Sequence, residues 1–128
     1  MLVVHAHLAG WLDTEIGDIG VSRETRAYLI STLDRVSRDP GLDMSDSSII
    51  LSYASAAGFP DFQRIGDWVL FRTSILPTEN DRIAIDFGRL AYARCYRIVR
   101  SWRVYDELSD DLPRVVRSIR SKVRAPGT

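Results

Sequence analysis

Between Pro60 and Pro77 the chain places apolar side chains on nearly every side of a helix: Phe62, Ile65, Trp68, Val69, Leu70, Phe71, Ile75 and Leu76. A helix that is apolar all round is usually buried, covered by other elements. Pro60 suits a first helical turn, where its missing N–H costs nothing, and Pro77 ends the run. The span from about Asp61 to Leu76 is therefore expected to be central, with the rest of the chain supplying its cover.

The flanking segments carry the spacing of such a cover. Leu2 to Ile16 presents Val4, Leu8, Trp11, Leu12 and Ile16 at helical intervals, closed by Gly17 and Gly20. Ser22 is a good N-cap for a second helix with Glu24 in its first turn and Tyr28, Leu29, Leu33 and Val36 on its apolar face. Asp39, Pro40 and Gly41 end it, and Asp43 to Ser47 is a polar link. Ser48 to Ala57 fits a buried strand or a short helix, and its alanines and the lack of a pairing partner favour the helix. Thr78 caps a long helix from about Glu79 to Arg100. Its apolar face is read as Ile83, Phe87, Leu90, Ala91, Cys95 and Ile98, with Arg82, Asp86, Arg89, Arg97 and Arg100 opposite. Trp102 to Val123 reads as a helix interrupted near Pro113.

No alternating strand or hairpin turn is present in the pattern. The expected fold class is all-α, an irregular bundle of about five to seven helices. It forms a single domain over residues 1–124, with residues 125–128 as a frayed tail.

Composition narrows the function classes. Hydrophobic residues make up 45% and charged residues 27%, the balance of a folded chain. The formal net charge is zero, which argues against a protein built mainly to coat nucleic acid or an anionic membrane. Cys95 is the one cysteine, so no intrachain disulfide forms, as suits a reducing cytosol. No secretory leader is read at the N-terminus, and the apolar run Ile49 to Phe59 is too short to span a bilayer. The expected localisation is cytoplasmic, with no membrane partner.

The run Phe62-Gln63-Arg64-Ile65-Gly66-Asp67-Trp68-Val69-Leu70-Phe71 is followed by Pro77, by Phe87-Gly88-Arg89-Leu90-Ala91-Tyr92, and by Val104-Tyr105-Asp106-Glu107-Leu108. In order and spacing this resembles a family of uncharacterised bacterial proteins over roughly Ser48 to Val123. Their pattern is F-x-R-[IL]-G-D-x-x-L-F, a Pro, G-x-x-A-Y, then Y-x-E-L before another Pro and an apolar helix. The chain departs from it at Ser74, where the family carries Gly, and at Trp68 and Ile85, which are larger than or different from the family's residues. The resemblance implies an all-helical fold and no activity.

Arg64, Gly66 and Asp67 form the most unusual polar group, because they sit within the helix that reads as buried. On the next helix Arg94 falls between Leu90, Ala91 and Ile98 on a helical wheel. A buried charge needs a partner, so Asp67 is expected to pair with Arg94 or Arg64 inside the bundle. Gly66 and Gly88 would mark close helix–helix approaches. Such a cluster is chiefly a structural ion pair, with a ligand site as the functional reading.

Other chemistry finds no foothold. His5 and His7 are the two histidines and stand two residues apart, so on a helix they point to different faces and make no zinc pair. No nucleophile turn or phosphate-binding loop motif occurs. Asp106-Glu107 and Asp110-Asp111 read as helix N-terminal charges and a solvated rim, and Cys95 as a buried, inert thiol. No cofactor, metal or catalytic residue is assigned.

Charge is distributed unevenly. Residues 1–64 carry 5 basic and 9 acidic side chains, and residues 65–128 carry 12 basic and 8 acidic. The candidate interaction surface is Arg97, Arg100, Trp102, Arg103, Tyr105, Arg114, Arg117 and Arg120, because Trp, Tyr and Arg dominate interface hot spots. The leading expectation is a small cytosolic, non-enzymatic interaction or regulatory module. Its partner is another protein or a second copy, with the acidic half of one meeting the basic half of the other. The alternative is a nucleic-acid-associated regulator using the C-terminal arginines.

Overall fold

Local sequence signals set the elements, and packing orders them around one helix. In this computed structural model residues 10, 13, 14, 19–39, 45–76, 80–99 and 102–124 are described. They form α1 (Arg23–Val36), α2 (Asp46–Ala54), α3 (Phe59–Ile75), α4 (Arg82–Val99) and α5 (Arg103–Arg124). No strand occurs among the described residues. The Leu2 to Ile16 helix, the Pro77–Thr78 junction and the tail at 125–128 lie wholly or largely outside them.

Caps start the helices where the side chains allow. Ser22 accepts from the Thr25 N–H at 3.2 Å to open α1. Ser45 accepts from the Ser48 N–H at 3.2 Å to open α2, so that helix begins within the stretch read as a polar link. The segment that also fitted a strand is helical. α3 begins after an extended Gly58, with Pro60 in its first turn, and the Asp61 carboxylate accepts from the Ala57 N–H at 2.8 Å.

α3 touches all four other helices, as its all-round apolarity requires. Val69 and Leu70 are fully buried on it, beside Leu29 and Leu33 of α1 and Leu108, Leu112 and Val115 of α5. α4 approaches α3 unusually closely. A Cβ on Gly88 would lie 2.6 Å from Val69 Cγ1, and one on Gly66 would lie 2.7 Å from the Tyr92 ring. Both glycines therefore mark close approaches, as expected.

That closeness corrects the reading of α4. Its buried residues are Ala84, Gly88, Ala91, Tyr92 and Cys95, while Ile83, Leu90 and Ile98 are exposed. Only small side chains fit a seam this tight, so the large aliphatics turn away from the core. Arg94 turns with them and is exposed, with its guanidinium 5.4 Å from the centre of the Phe62 ring.

α5 breaks at Asp111 (φ −124°, ψ 15°), two residues before Pro113. Pro113 has no N–H to give the Ser109 carbonyl four residues earlier. Arg89 of α4 fills the gap, its Nε donating to that oxygen at 2.9 Å. The same arrangement recurs at the end of α3. The Thr73 carbonyl stands four residues before Pro77, and Arg120 of α5 donates to it through Nε at 3.0 Å.

Candidate functional site

Asp67 is 1% exposed and sits at the middle of α3. Its Oδ1 accepts from the Tyr28 hydroxyl at 2.6 Å and from the Tyr92 hydroxyl at 2.7 Å. Its Oδ2 accepts from Arg35 Nη2 at 2.6 Å. Asp67 is therefore ion-paired, but its partner is Arg35 and not Arg94 or Arg64, which corrects the expected pairing. Arg64 points outward and lays its guanidinium 4.9 Å from the centre of the Trp68 ring. The reason lies in α3 itself: Arg64 and Trp68 are one turn apart on its outer side, while Asp67 shares the inner side with Gly66.

Gly66 and Asp67 act together. The glycine admits the Tyr92 ring against the helix backbone, and the next residue receives its hydroxyl. Tyr105 stacks on Tyr92 with ring centres 6.0 Å apart, meets Tyr28 edge-on at 5.7 Å, and accepts from Gln63 Nε2 at 2.9 Å. Three helices, α1, α3 and α4, thus converge on one carboxylate, and α5 packs against its two phenols through Tyr105.

Electrostatics follow burial. Desolvation raises the Asp67 carboxyl above its ordinary value, against the lowering effect of the two phenols and Arg35. Burial, and then the nearby Asp67 charge, pushes the Tyr28 and Tyr92 hydroxyls well up, so both stay protonated and donate to Asp67. Burial, with Asp67, also pushes the Cys95 thiol up to about 12. A thiol that remains protonated is no nucleophile.

Above the network lies a cleft of about 580 Å³ between α1 and α3. Arg35, Arg38 and Arg64 line it together with Gln63, Trp68, Val36, Pro60, Asp39 and the Asp67 carboxylate at its base. The structure thus brings together Arg64 and Asp67 of the expected trio and leaves Arg94 on another face.

The candidate interaction surface divides. Tyr105 is 1% exposed and belongs to the core, because its ring fills the space between Tyr28, Tyr92 and Phe59. Trp102 keeps an exposed edge while its ring packs on Tyr28 and Tyr105. Arg114 reaches across to the Ile19 carbonyl at 2.6 Å and the Gly20 carbonyl at 3.2 Å, and pairs with Asp111. Arg120 bonds Thr73 and pairs with the buried Asp81 at 2.6 Å. These two are tied inward because backbone carbonyls left without helical partners need donors. Arg97, Arg103 and Arg117 are exposed, and Arg100 lies outside the described residues, as do His5 and His7.

Glu107 has a role that sequence reasoning missed. Ser22 Oγ donates to it at 2.6 Å, the Ser22 N–H at 3.2 Å, and the Thr25 hydroxyl as well, so a carboxylate from α5 caps the N-terminus of α1. Partial burial opposes its ionisation, but the Ser22 and Thr25 bonds prevail and lower its carboxyl below the usual value.

No family model matches this chain, and neither does any curated protein or solved structure. The resemblance to an uncharacterised bacterial family is carried by its spaced motifs alone. No helix among the described residues is long and apolar enough to cross a membrane.

Proposed function

We propose that this protein is a non-enzymatic interaction module of the cytoplasm that binds another protein, or a second copy of itself, through α2 and α4. The observation that carries this reading is a set of exposed aliphatic side chains on two helices that pack together. Leu51 is 68% exposed on α2 beside the exposed Ile50, and Ile83, Leu90 and Ile98 stand out along α4, with Ile98 53% exposed. The two helices pack together, with the Tyr53 and Phe87 rings 5.3 Å apart. Scattered exposed aliphatics need no explanation, but a group of them on adjacent helices is the mark of a contact surface.

The test compares the wild-type chain with a Leu51→Ser/Leu90→Ser/Ile98→Ser variant. Light scattering gives the mass in solution, and a nuclease-treated pull-down from native host lysate gives stoichiometric protein partners. The wild type should dimerise or retain a partner, and the variant should lose that contact while keeping its melting temperature. A wild type that runs as a monomer and retains no protein at stoichiometry would sink the reading.

The nucleic-acid alternative rests on Arg103, Arg117 and Lys122, the exposed cations of α5. Its mark is affinity that falls steeply with salt. Arg114 and Arg120 add little to it, since their guanidinium groups already bind carbonyls and carboxylates.

A further inference from the structure

The cleft between α1 and α3 stands apart from the α2–α4 face, and its chemistry is different. We propose that it binds a small anion, a phosphomonoester carried on a planar ring. This inference does not depend on the interaction-module reading.

Three guanidinium-bearing side chains line one cleft of about 580 Å³, a volume within the usual range for small-molecule sites. Arg35 is the most informative of them. Its side chain is 62% exposed, yet it is anchored on a carboxylate that is almost wholly buried. Tyr28 and Tyr92 fix Asp67, and Asp67 holds Arg35 through Nη2, so the other guanidinium donors of this cleft-lining side chain are not used by Asp67. A guanidinium fixed in this way loses less freedom when a ligand arrives.

Arg38 is steadied by Asp34 at 3.0 Å, and Arg64 by the Trp68 ring. Asp67, Asp34 and the rim residue Asp39 temper the local positive charge. Arg64 has no carboxylate partner among the described residues, so an anion gains most there. Arginine forks match the several oxygens of a phosphate better than a single carboxylate oxygen pair, because each can donate in parallel from its own direction. Trp68, Val36 and Pro60 supply the apolar wall for a flat ring beside that anion.

The experiment is calorimetric titration of the full chain with phenyl phosphate, inorganic phosphate and benzoate. Phenyl phosphate should bind more tightly than either of the other two. Arg64→Ala should weaken it by about tenfold or more, the value of one lost hydrogen bond to a charged group. Because Arg64 is exposed, the melting temperature of that variant should hold, which separates lost binding from lost folding. Trp68→Leu should remove the advantage of phenyl phosphate over inorganic phosphate. Absence of binding by phenyl phosphate at millimolar concentration, or binding that Arg64→Ala and Arg38→Ala both leave unchanged, would overturn the proposal. Benzoate equal to phenyl phosphate would overturn its preference for phosphate.

Discussion

The Tyr92 ring occupies the place where a side chain on Gly66 would stand, with ring carbons 2.7 Å from an ideal Cβ. Gly66→Ala should therefore destabilise the protein even though alanine is the better helix former. Overpacking costs about 1–3 kcal/mol, and the gain in helix propensity returns up to about 1 kcal/mol. A net loss of up to about 2 kcal/mol is expected in urea unfolding. The displaced ring also draws its hydroxyl away from Asp67, which adds to the loss. An unchanged or higher midpoint would mean that the two helices are not in tight contact at this point.

Two carboxyl groups should tilt stability in opposite directions with pH. Asp67 is raised above its ordinary value by burial, so the folded protein binds that proton more tightly than the unfolded chain. Its contribution is most favourable below about pH 4 and is lost as pH rises through the folded value. Glu107 is lowered, so its contribution is present above about pH 4 and is lost as pH falls through its folded value. Unfolding free energies measured across acid and neutral pH should show Asp67→Asn removing the decline on the alkaline side. Glu107→Gln should remove part of the decline on the acid side. Curves for either variant that run parallel to wild type would contradict the assignment.

Neighbouring basic residues on α5 should behave differently from one another. Arg120 neutralises Asp81, whose side chain is 6% exposed, and also satisfies the Thr73 carbonyl. Arg120→Ala should cost about 3 kcal/mol, near the lower end for breaking a buried pair, since Arg72 also lies 3.7 Å from Asp81. Arg117 is exposed, and Arg117→Ala should stay within about 0.5 kcal/mol of wild type. Thermal melts of the two variants distinguish an inward anchor from a free cation. Equal melting temperatures would restore Arg120 to a surface stripe.

What could be read from the chain was local, and what could not was contact between distant residues. Ser22, Pro60 and Pro113 announce helix starts and a break because capping and the missing proline N–H act within one or two turns. The all-round apolarity of α3 foretold its central place for the same reason. Asp67 was legible as a buried charge, but its partner was not. Arg35 is 32 residues away, on a helix where an arginine in the last turn is already accounted for by the dipole. Tyr28 and Tyr92 carry the missing signal only in part, since a tyrosine on an apolar face gives no sign of where its hydroxyl will bond. The face of α4 was misjudged because size was weighted over smallness. Ala84, Gly88 and Ala91 make the seam, and Leu90 does not. Glu107 looked like part of a solvated rim because nothing in its own helix shows that Ser22 and Thr25 lie across from it.

Arg89 and Pro113 should be energetically coupled although they lie on different helices and do not bond each other. Arg89 Nε donates to the Ser109 carbonyl, which lacks a helical donor because Pro113 has no N–H. Arg89→Ala alone should cost about 1 kcal/mol, the value of a hydrogen bond at a partly solvated carbonyl. Pro113→Ala supplies an N–H four residues on, which can close the helical bond if α5 straightens through Asp111. In that background Ser109 has a second donor, and Arg89→Ala should cost much less. A double-mutant cycle should therefore return a coupling of about 0.5–1 kcal/mol. Additive effects would show that α5 keeps its break without the proline, and that the break belongs to Asp111 and its bond from Arg114 instead.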